Sequence, residues 1–586
     1  METSAQPDRA PAGGRRHRWR WLLTALAALA LGYAIRVALW KPLPVQGPPP
    51  QDGFHRVAGV IHVHTTISDG GAAPEEVIRA AQEAGLDFLV ITDHNRLDAK
   101  PLEGYHGKLM VLVGVEVSTR SGHLVGLGVA RDPAFRFSAD AREAYDDIRH
   151  LGGFAFAAHP LSPRRDLAWT GWGLPGPWGL ELINGDSEWR RAGVRTLWTA
   201  ALYALNRRFA LLQSLGRPDR TVERWDQLLA QRAAPAIAGT DAHGRLPLTD
   251  DWALRFPSYQ ALFSVLRNHV LLREPLRGEF ERDRAALLDA LRAGRSYIGL
   301  DGIAPADGFE FSAERGGRRW AMGASVPPAP GLMLRAGGRV PKAAVLRLFR
   351  DGRLEREAAQ RLEHSVERPG IYRMEVHLPG WEQPWILTNP IFVLEPPTAA
   401  ARTARAAWPQ PQPAPAAARF LDRFEAATTF EPGHDPTSTA SAAIRAPAEG
   451  LQSSGAARLS FRVGDRARPH PSPYAALVSW EPRDLSGFRG LAFAIKADGE
   501  YRVWVQVRDL NPASQTEGTE WWTRSVRTAT EWQTVSLPFA QFHSDNPASD
   551  GRLDLDRVRA LVLVLDRGSV KVGTQGVIWI DDLGVY

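Results

Sequence analysis

One after another, the short apolar runs of this chain end in a residue type that binds metal ions. Val57-Ala58-Gly59-Val60 leads into His62-x-His64, with Asp69 on the turn that follows. The run Asp87 to Thr92 ends in Asp93-His94, and Leu109 to Val115 ends at Glu116. His123 opens the run from Leu124 to Val129, Phe154 to Ala158 ends at His159, and Ala236 to Thr240 ends in Asp241-x-His243. Side chains two apart on a strand share a face, so His62 and His64 can point into one pocket. A lone His-x-His pair fits a surface strand equally well, and it is the recurrence that decides. In parallel α/β folds the active site is built where the strands end. The pattern therefore predicts an α/β fold that gathers imidazoles and carboxylates at one rim, a donor set suited to divalent metals.

The intervening sequence agrees with that fold. Pro74 to Gly85 reads as a helix, with proline at its first turn, Glu75 and Glu76 next, and a terminal glycine. The turn Thr119-Arg120-Ser121-Gly122 is short enough to imply a hairpin, which brings His123 to the rim that carries Glu116. A helix from about Ser138 to Leu151 precedes the strand ending at His159, and Gly179 to Asn184 is a further strand. Between it and Asp241, Trp198, Leu202, Leu205, Phe209 and Leu212 fall at helical spacing among several arginines. That insert reads as an outer-layer or lid helix, with a basic membrane-surface helix as the alternative.

At 586 residues the chain is too long for one core and implies three or four domains. Residues 1–20 are basic and residues 21–40 nearly uncharged, which predicts a transmembrane signal anchor at the inner (cytoplasmic) membrane with the catalytic part outside. Residues 41–54 form a Pro-rich tether, and 55–300 the α/β catalytic domain. Short β-like runs over 301–395 predict a small β-sandwich. The Pro/Ala-rich stretch 396–418 reads as a linker, and 419–586 as a second β-sandwich. Tyr501, Val503, Val505 and Val507 mark its core face, leaving Trp504 outward. The net charge of +6 reflects a general arginine bias, so no specific nucleic-acid partner is predicted. Cysteine is absent, which excludes disulfides and thiolate chemistry.

The residues His62-x-His64-x4-Asp69, Thr92-Asp93-His94, Glu116, His123, His159 and Asp241-x-His243 resemble, in order, the ligands of the polymerase-and-histidinol-phosphatase (PHP) superfamily of metal-dependent phosphoesterases. The resemblance spans roughly residues 55–300 and includes all nine expected positions. It implies a distorted (β/α)7 barrel with two or three divalent ions. His62, His64, Glu116 and Asp241 would hold the first, and Glu116 would bridge to a second held by His123 and His159. Asp69, His94 and His243 would hold a third. Mixed imidazole and carboxylate ligands accept Mn, Zn or Fe. The segments Gly179 to Asp186, Phe256-Pro257-Ser258-Tyr259 and Thr388-Asn389-Pro390 look like the carbaryl-hydrolase-like branch. Around Phe424-Glu425 and Ile580-Asp581-Asp582-Leu583 the tail resembles galactose-binding jelly rolls similar to carbohydrate-binding modules, which implies a possible glycan partner. The amidohydrolases also open on His-x-His, but they often use a carbamylated lysine. Lys100 and Lys108, the only lysines of 55–300, end no strand.

The expected activity is metal-dependent hydrolysis of a phosphoester in a small or phosphorylated substrate. A metal-bridging hydroxide would act as nucleophile, with no catalytic side chain beyond it. Arg164, Arg165 and Arg245 lie near the ligands and are candidate phosphate contacts. The same site could hydrolyse a carbamate, ester or amide, and a glycan-binding envelope protein with a scaffold barrel is the reading from another class.

Overall fold

The computed structural model describes residues 13–191, 195–247, 249, 253–409, 413–425, 427–444, 451, 455–465, 472–514, 516 and 518–586. The chain forms two compact units: Met1–Ala130 with Ile148–Trp408, and Arg131–Asp147 with Pro409–Tyr586.

The first unit begins with the helix α1 (Gly13–Ala38). Its strands, in order, are β1 (His55–Val60), β2 (Phe88–Ile91), β3 (Gly104–His106), β4 (Leu109–Val113), β5 (Val115–Thr119), β6 (Gly122–Leu127), β7 (Phe154–Ala157), β8 (Gly179–Asn184) and β9 (Ala236–Gly239). Two short strands, β10 (Leu246–Pro247) and β11 (Ala253–Leu254), precede β12 (Arg267–Leu272) and β13 (Ser296–Gly299). After β1 comes α2 (Pro74–Glu83), in which Glu76 accepts from the Ala73 N–H at 3.2 Å and Val77, Ile78 and Ala81 are buried. Gly85 then turns the chain with φ +67°, where a side chain would be strained. The helix α3 (Ala141–His150) follows β6.

β1, β2 and β4 pair in parallel, as do β7, β8 and β9. The end of β9 returns to β1: Thr240 N–H donates to the Ile61 carbonyl at 2.9 Å, and His64 N–H to that of Ala242 at 3.1 Å. A uniform β/α alternation is not what forms. β5 and β6 are an antiparallel hairpin, with Thr119 opposite Gly122, and β6 is also antiparallel to β7. The two-residue turn Arg120-Ser121 leaves no room for a crossover helix. The sheet also crosses the boundary expected at residue 300, since β13 pairs with the strand Ile386–Thr388 and that strand with Gly370–His377.

The insert after β8 is four helices: α4 (Gly185–Arg191), α5 (Arg195–Leu205), α6 (Arg207–Ser214) and α7 (Asp219–Gln231). The single periodic helix expected there is broken at Asn206. That residue caps α6 by accepting from Phe209 N–H at 3.0 Å, while its amide donates to the carbonyls of Val37 and Trp40 at 3.2 and 2.9 Å. The expected linker also departs from expectation, because Pro396–Arg405 is a helix. Proline at its first turn and a run of alanines favour that state, and buried Arg402 ties it to the carbonyls of Leu229 and Ala230 at the end of α7.

The second unit packs a six-stranded sheet on a five-stranded one. Tyr501, Val503, Val505 and Val507 lie in its core, as the alternation predicts. Trp504 is on the other face, but half-buried against Val562 and Val564, with its indole N–H 3.1 Å from Asp566. Arg502 on that face is 2% exposed, covered by the unit's own segment Arg131–Asp147. Asp147 pairs there with Arg502 and, at 2.6 Å, with Arg527. The tail from residue 419 thus shares its compact unit with Arg131–Asp147, which lies between β6 and β7 in sequence.

Two asparagines stand in for a missing strand. β9 pairs with β8 on one side, while on its other edge Asn268 bonds both backbone groups of Ala238 at 2.8 Å. Asn389 does the same for Ala236, at 2.8 and 2.9 Å, and reaches the Ser296 carbonyl at 3.0 Å. Each buried backbone group left without a partner costs about 1–3 kcal/mol. Asn389→Leu should thus destabilise the first unit by about 2–4 kcal/mol, read as a lower thermal transition than wild type. An unchanged transition would remove the asparagine bridge from the account.

Candidate metal centre

Glu116 is 1% exposed and surrounded by imidazoles. His62 Nε2, His64 Nε2 and His94 Nδ1 lie 3.1, 3.2 and 3.1 Å from its Oε2, and His123 Nδ1 and His159 Nε2 lie 2.8 and 3.0 Å from its Oε1. Asp241 Oδ1 is 3.4 Å from His62 and 3.2 Å from His64. On the outer side His243 Nε2 is 3.3 Å and His94 Nε2 3.8 Å from Asp69. All nine residues singled out in the sequence thus meet at one end of the strands. Eight of them fall into three overlapping groups: His62, His64, Glu116 and Asp241; His94, Glu116 and His123; and His64, Asp69, His94 and His243, while His159, expected beside His123, joins through its contact with Glu116.

The donors fit metal ions for a specific reason. His62 Nε2, His64 Nε2, His94 Nδ1 and Glu116 Oε2 are buried and have no hydrogen-bond partner, although they crowd together. Buried polar atoms are nearly always bonded, and atoms that converge without bonding one another surround a common point, as ligands surround a cation. The backbone is bent to achieve this: His62, His159 and Asp241 have φ of 68°, 29° and 48°. That left-handed region is unfavourable for side-chain-bearing residues and clusters at functional sites.

Electrostatics follow from the crowding. Burial works against the charged form of every group here. The surrounding carboxylates Glu181, Asp241 and Glu116 nevertheless raise His62 well above the ordinary histidine value, and the imidazoles hold Glu116 and Asp241 well below the carboxylate range. His243 is pushed up to about 10 despite its burial, because it bonds Asp69. His94, more open and next to His64, is lowered by burial.

Several supporting residues carried no ligand signal in the sequence. Glu181, inside an apolar strand, accepts from His62 Nδ1 at 2.6 Å and His159 N–H at 2.8 Å, and from the Asn184 amide at 3.0 Å. Such a carboxylate behind a histidine fixes its tautomer and orientation. A Cβ at Gly239 would lie 2.1 Å from the Glu181 carboxylate, so only glycine fits there. Asp93 accepts from Thr65 N–H, Thr65 Oγ1 and Ser68 Oγ at 2.7, 2.7 and 2.6 Å, which shapes the turn leading to Asp69. The Tyr259 hydroxyl lies 2.8 and 2.6 Å from the carbonyls of His64 and His243. A histidine carboxylate partner has no fixed sequence spacing, so only the fold reveals it.

The centre opens into a cleft of ≈ 320 Å³ that Arg164, Arg190 and Arg245 also line, whereas Arg165 does not line it. Arg164 is half exposed and paired with Asp166 at 2.7 Å. Lys100 is bonded to Glu103 at 3.0 Å and is not among the residues lining the cleft.

Over 118 residues the chain is 30% identical to an uncharacterized protein of Methanocaldococcus jannaschii, spanning 18% of this chain and 67% of that one. The chain belongs to that protein's family. It also matches a phosphoribosyl 1,2-cyclic phosphate 1,2-diphosphodiesterase of Eggerthella lenta (36% over 78 residues) and a 5'-3' exoribonuclease of Salmonella typhimurium (31% over 140 residues). The chain spans only 30% and 44% of the length of these two enzymes, and 12% and 22% of it are matched. No family model matches. Among solved structures, a two-domain protein of Bacteroides vulgatus containing a predicted PHP-like metal-dependent phosphoesterase aligns with 60% of this chain and 99% of its own, at 15% identity and TM-score 0.28. A family 11 carbohydrate-binding module of Clostridium thermocellum aligns with 29% of this chain and 96% of its own, at 19% identity and TM-score 0.24.

Glu116→Gln should remove most bound metal, because a neutral amide is a poor ligand and offsets no cationic charge. Glu181→Gln should keep the ligands but weaken metal affinity about 10- to 100-fold, the usual cost of losing such a partner. Metal titration of the two variants checks both. Wild-type affinity in Glu116→Gln would exclude Glu116 from the centre.

Proposed function

We propose that the chain is a metal-dependent phosphoesterase of the PHP type, acting at the rim of a distorted (β/α)7 barrel spanning 55–300. The observation that carries this reading is the convergence of buried, unbonded ligand atoms from His62, His64, His94 and Glu116 beside Asp241. In this reading His62, His64, Glu116 and Asp241 hold one ion, and Glu116 shares a second with His123 and His159. Asp69, His94 and His243 hold a third. Divalent ions bound there would supply hydroxide near neutral pH and Lewis acidity toward a phosphoryl oxygen.

The chain's own residues do the remaining work. Glu181 holds His62 so that Nε2 faces Glu116 and Asp241, and Asp93 orders the turn that carries Asp69. Arg164, Arg190 and Arg245 line the cleft as donors for phosphate oxygens, with Arg164 and Arg190 held by Asp166 and Asp186. The two enzymes among the relatives, by name a phosphodiesterase and an exoribonuclease, favour a phosphoester over a carbamate. The helix α1 contains a 20-residue stretch, Trp19–Ala38, long and apolar enough to cross a membrane, and we read it as the membrane anchor.

The reading is tested by elemental analysis of the purified chain, then assay of phosphomonoesters, phosphodiesters and aryl carbamates with each metal restored. Bound metal and turnover of a phosphoester are expected. Turnover of carbamates alone would make the protein a carbamate, ester or amide hydrolase. Metal-free protein without hydrolysis would leave the glycan-binding scaffold.

For the second unit, the sugar-binding candidates are Trp480 and Trp521, 47% and 39% exposed, instead of the half-buried Trp504. Arg508 lies between them, 5.6 and 4.0 Å from their ring centres, and flat exposed rings suit stacking on sugars. Trp521→Ala should weaken retention in polysaccharide affinity gels while leaving phosphoester turnover intact. Unchanged retention would remove this face as the glycan site.

A further inference from the structure

The metal cleft has a second chamber. A pocket of ≈ 530 Å³ adjoins it, and Arg164, Asp186, Arg190, Asp241, His243 and Arg245 line both. Beyond this shared polar wall the pocket turns apolar, bounded by Trp189, Leu211, Leu215, Phe256, Leu262 and Leu266. Ligand pockets are commonly of this size and mostly apolar, with a few polar groups that fix orientation. Here the charged groups all belong to the wall shared with the histidine and carboxylate cluster, and Ser214 of the apolar wall donates its hydroxyl to the Leu211 carbonyl. The space is shaped for a molecule with an anionic, hydrolysable head and a hydrocarbon tail.

The surroundings of the pocket indicate where such a molecule comes from. Leu211 and Leu215, at the end of α6, wall the pocket, and another face of the same helix holds the anchor. Val37 of α1 is buried with Leu202 and Ala210. Tyr33 stacks on Trp198 with ring centres 6.0 Å apart, and Trp40 meets Phe209 at 5.4 Å. Asn206 clamps the end of α1 through the carbonyls of Val37 and Trp40. Upstream, Trp21, Leu23 and Leu29 of α1 are 75%, 61% and 71% exposed, as a lipid-facing helix would be. Trp198 and Leu205 of α5 are exposed beside it, with Arg207 exposed on α6. Aromatic and cationic side chains of this kind favour the membrane–water interface. One helix thickness, about 10 Å, therefore separates the apolar chamber from the segment that leaves the bilayer.

Resting on the phosphoesterase reading above, we propose that the substrate is a membrane-resident amphiphilic phosphoester, with its phosphoryl group at the metal centre and its hydrocarbon tail in the chamber walled by α4, α6 and Phe256. In hydrolysis the oxygen of water forms the new bond to phosphorus. The bond from phosphorus to the departing alcohol breaks, and that alcohol leaves with a proton from solvent.

The test uses the full chain, metal-loaded and reconstituted in phosphatidylcholine vesicles. Turnover is measured on alkyl phosphates from ethyl to decyl, and binding on the non-hydrolysable alkylphosphonates of the same lengths. Each methylene that enters the chamber should raise kcat/KM about fourfold until the space is full, the ratio corresponding to ~0.8 kcal/mol per buried methylene. Phosphonate affinity should rise in parallel. Leu215→Trp fills the chamber and Leu262→Gln makes it polar. Both residues are half-buried, and in both variants the decyl-to-ethyl ratio should collapse toward one while metal content stays at the wild-type level. Dialkyl phosphate embedded in the same vesicles should be cleaved faster than an equal amount presented in separate vesicles.

The outcomes separate the two claims. Turnover and phosphonate binding that do not vary with chain length overturn the amphiphile assignment and leave the phosphoesterase. Chain-length-dependent phosphonate binding without turnover of any phosphoester overturns the phosphoesterase and keeps the chamber. Equal cleavage of embedded and separately presented lipid overturns the membrane as the source.

Discussion

The first unit depends on burying one carboxylate. Glu116 is withdrawn from solvent among five imidazoles, and a lone buried carboxylate costs several kcal/mol unless opposite charge or hydrogen bonds compensate. Supplying that compensation shapes much of what surrounds it. Three of the nine clustered residues adopt left-handed backbone, β5 and β6 double back to place His123, and Glu181 is buried behind His62 as a second carboxylate. The surrounding sheet is held in register by Asn268 and Asn389, so the strain at the rim is balanced by bonds far from it.

A second buried charge organises the other unit. Asp147 pairs with Arg502 and Arg527 where the sheet would otherwise meet water. Breaking such a pair by removing one partner commonly costs about 3–5 kcal/mol. The segment Arg131–Asp147 is accordingly part of that unit's fold. The chain leaves the first unit after β6, contributes this segment, and returns before β7, so a chain lacking residues 409–586 would leave Asp147 without its arginine partners. The face of the sheet that looked free in the sequence is partly the unit's own interior, while Trp480 and Trp521 stay exposed.

The helices inserted after β8 join chemistry to location. Asn206 divides what periodicity reads as one amphipathic helix into two, and the turn it creates receives the end of α1. The apolar residues on either side then have separate tasks. Leu202, Phe209 and Ala210 pack with Val37 of α1, and Leu211 and Leu215 line the pocket that Asp241 and His243 also line. A single short helix thereby touches both the apolar N-terminal helix and the pocket beside the histidine cluster.

The sequence by itself determined which histidines and carboxylates gather near the strand ends, because strand-forming runs and residue types are local properties written in order along the chain, although Glu116 falls inside β5 and does not end the run Leu109 to Val115, which breaks at Gly114. It also determined the inward row Tyr501, Val503, Val505 and Val507, since alternation is set by the pleat of a strand. Only the tertiary structure decided which ligands share a point. His64 and His94 stand in two groups each, a consequence of distances in space that no spacing encodes. Glu181, Asn268 and Asn389 were illegible as supports because their partners lie 119, 30 and 153 residues away. The helix in the Pro/Ala stretch and the membership of Arg131–Asp147 in the second unit were hidden for the same reason. Composition records a residue's preference, while burial against a distant partner decides its state.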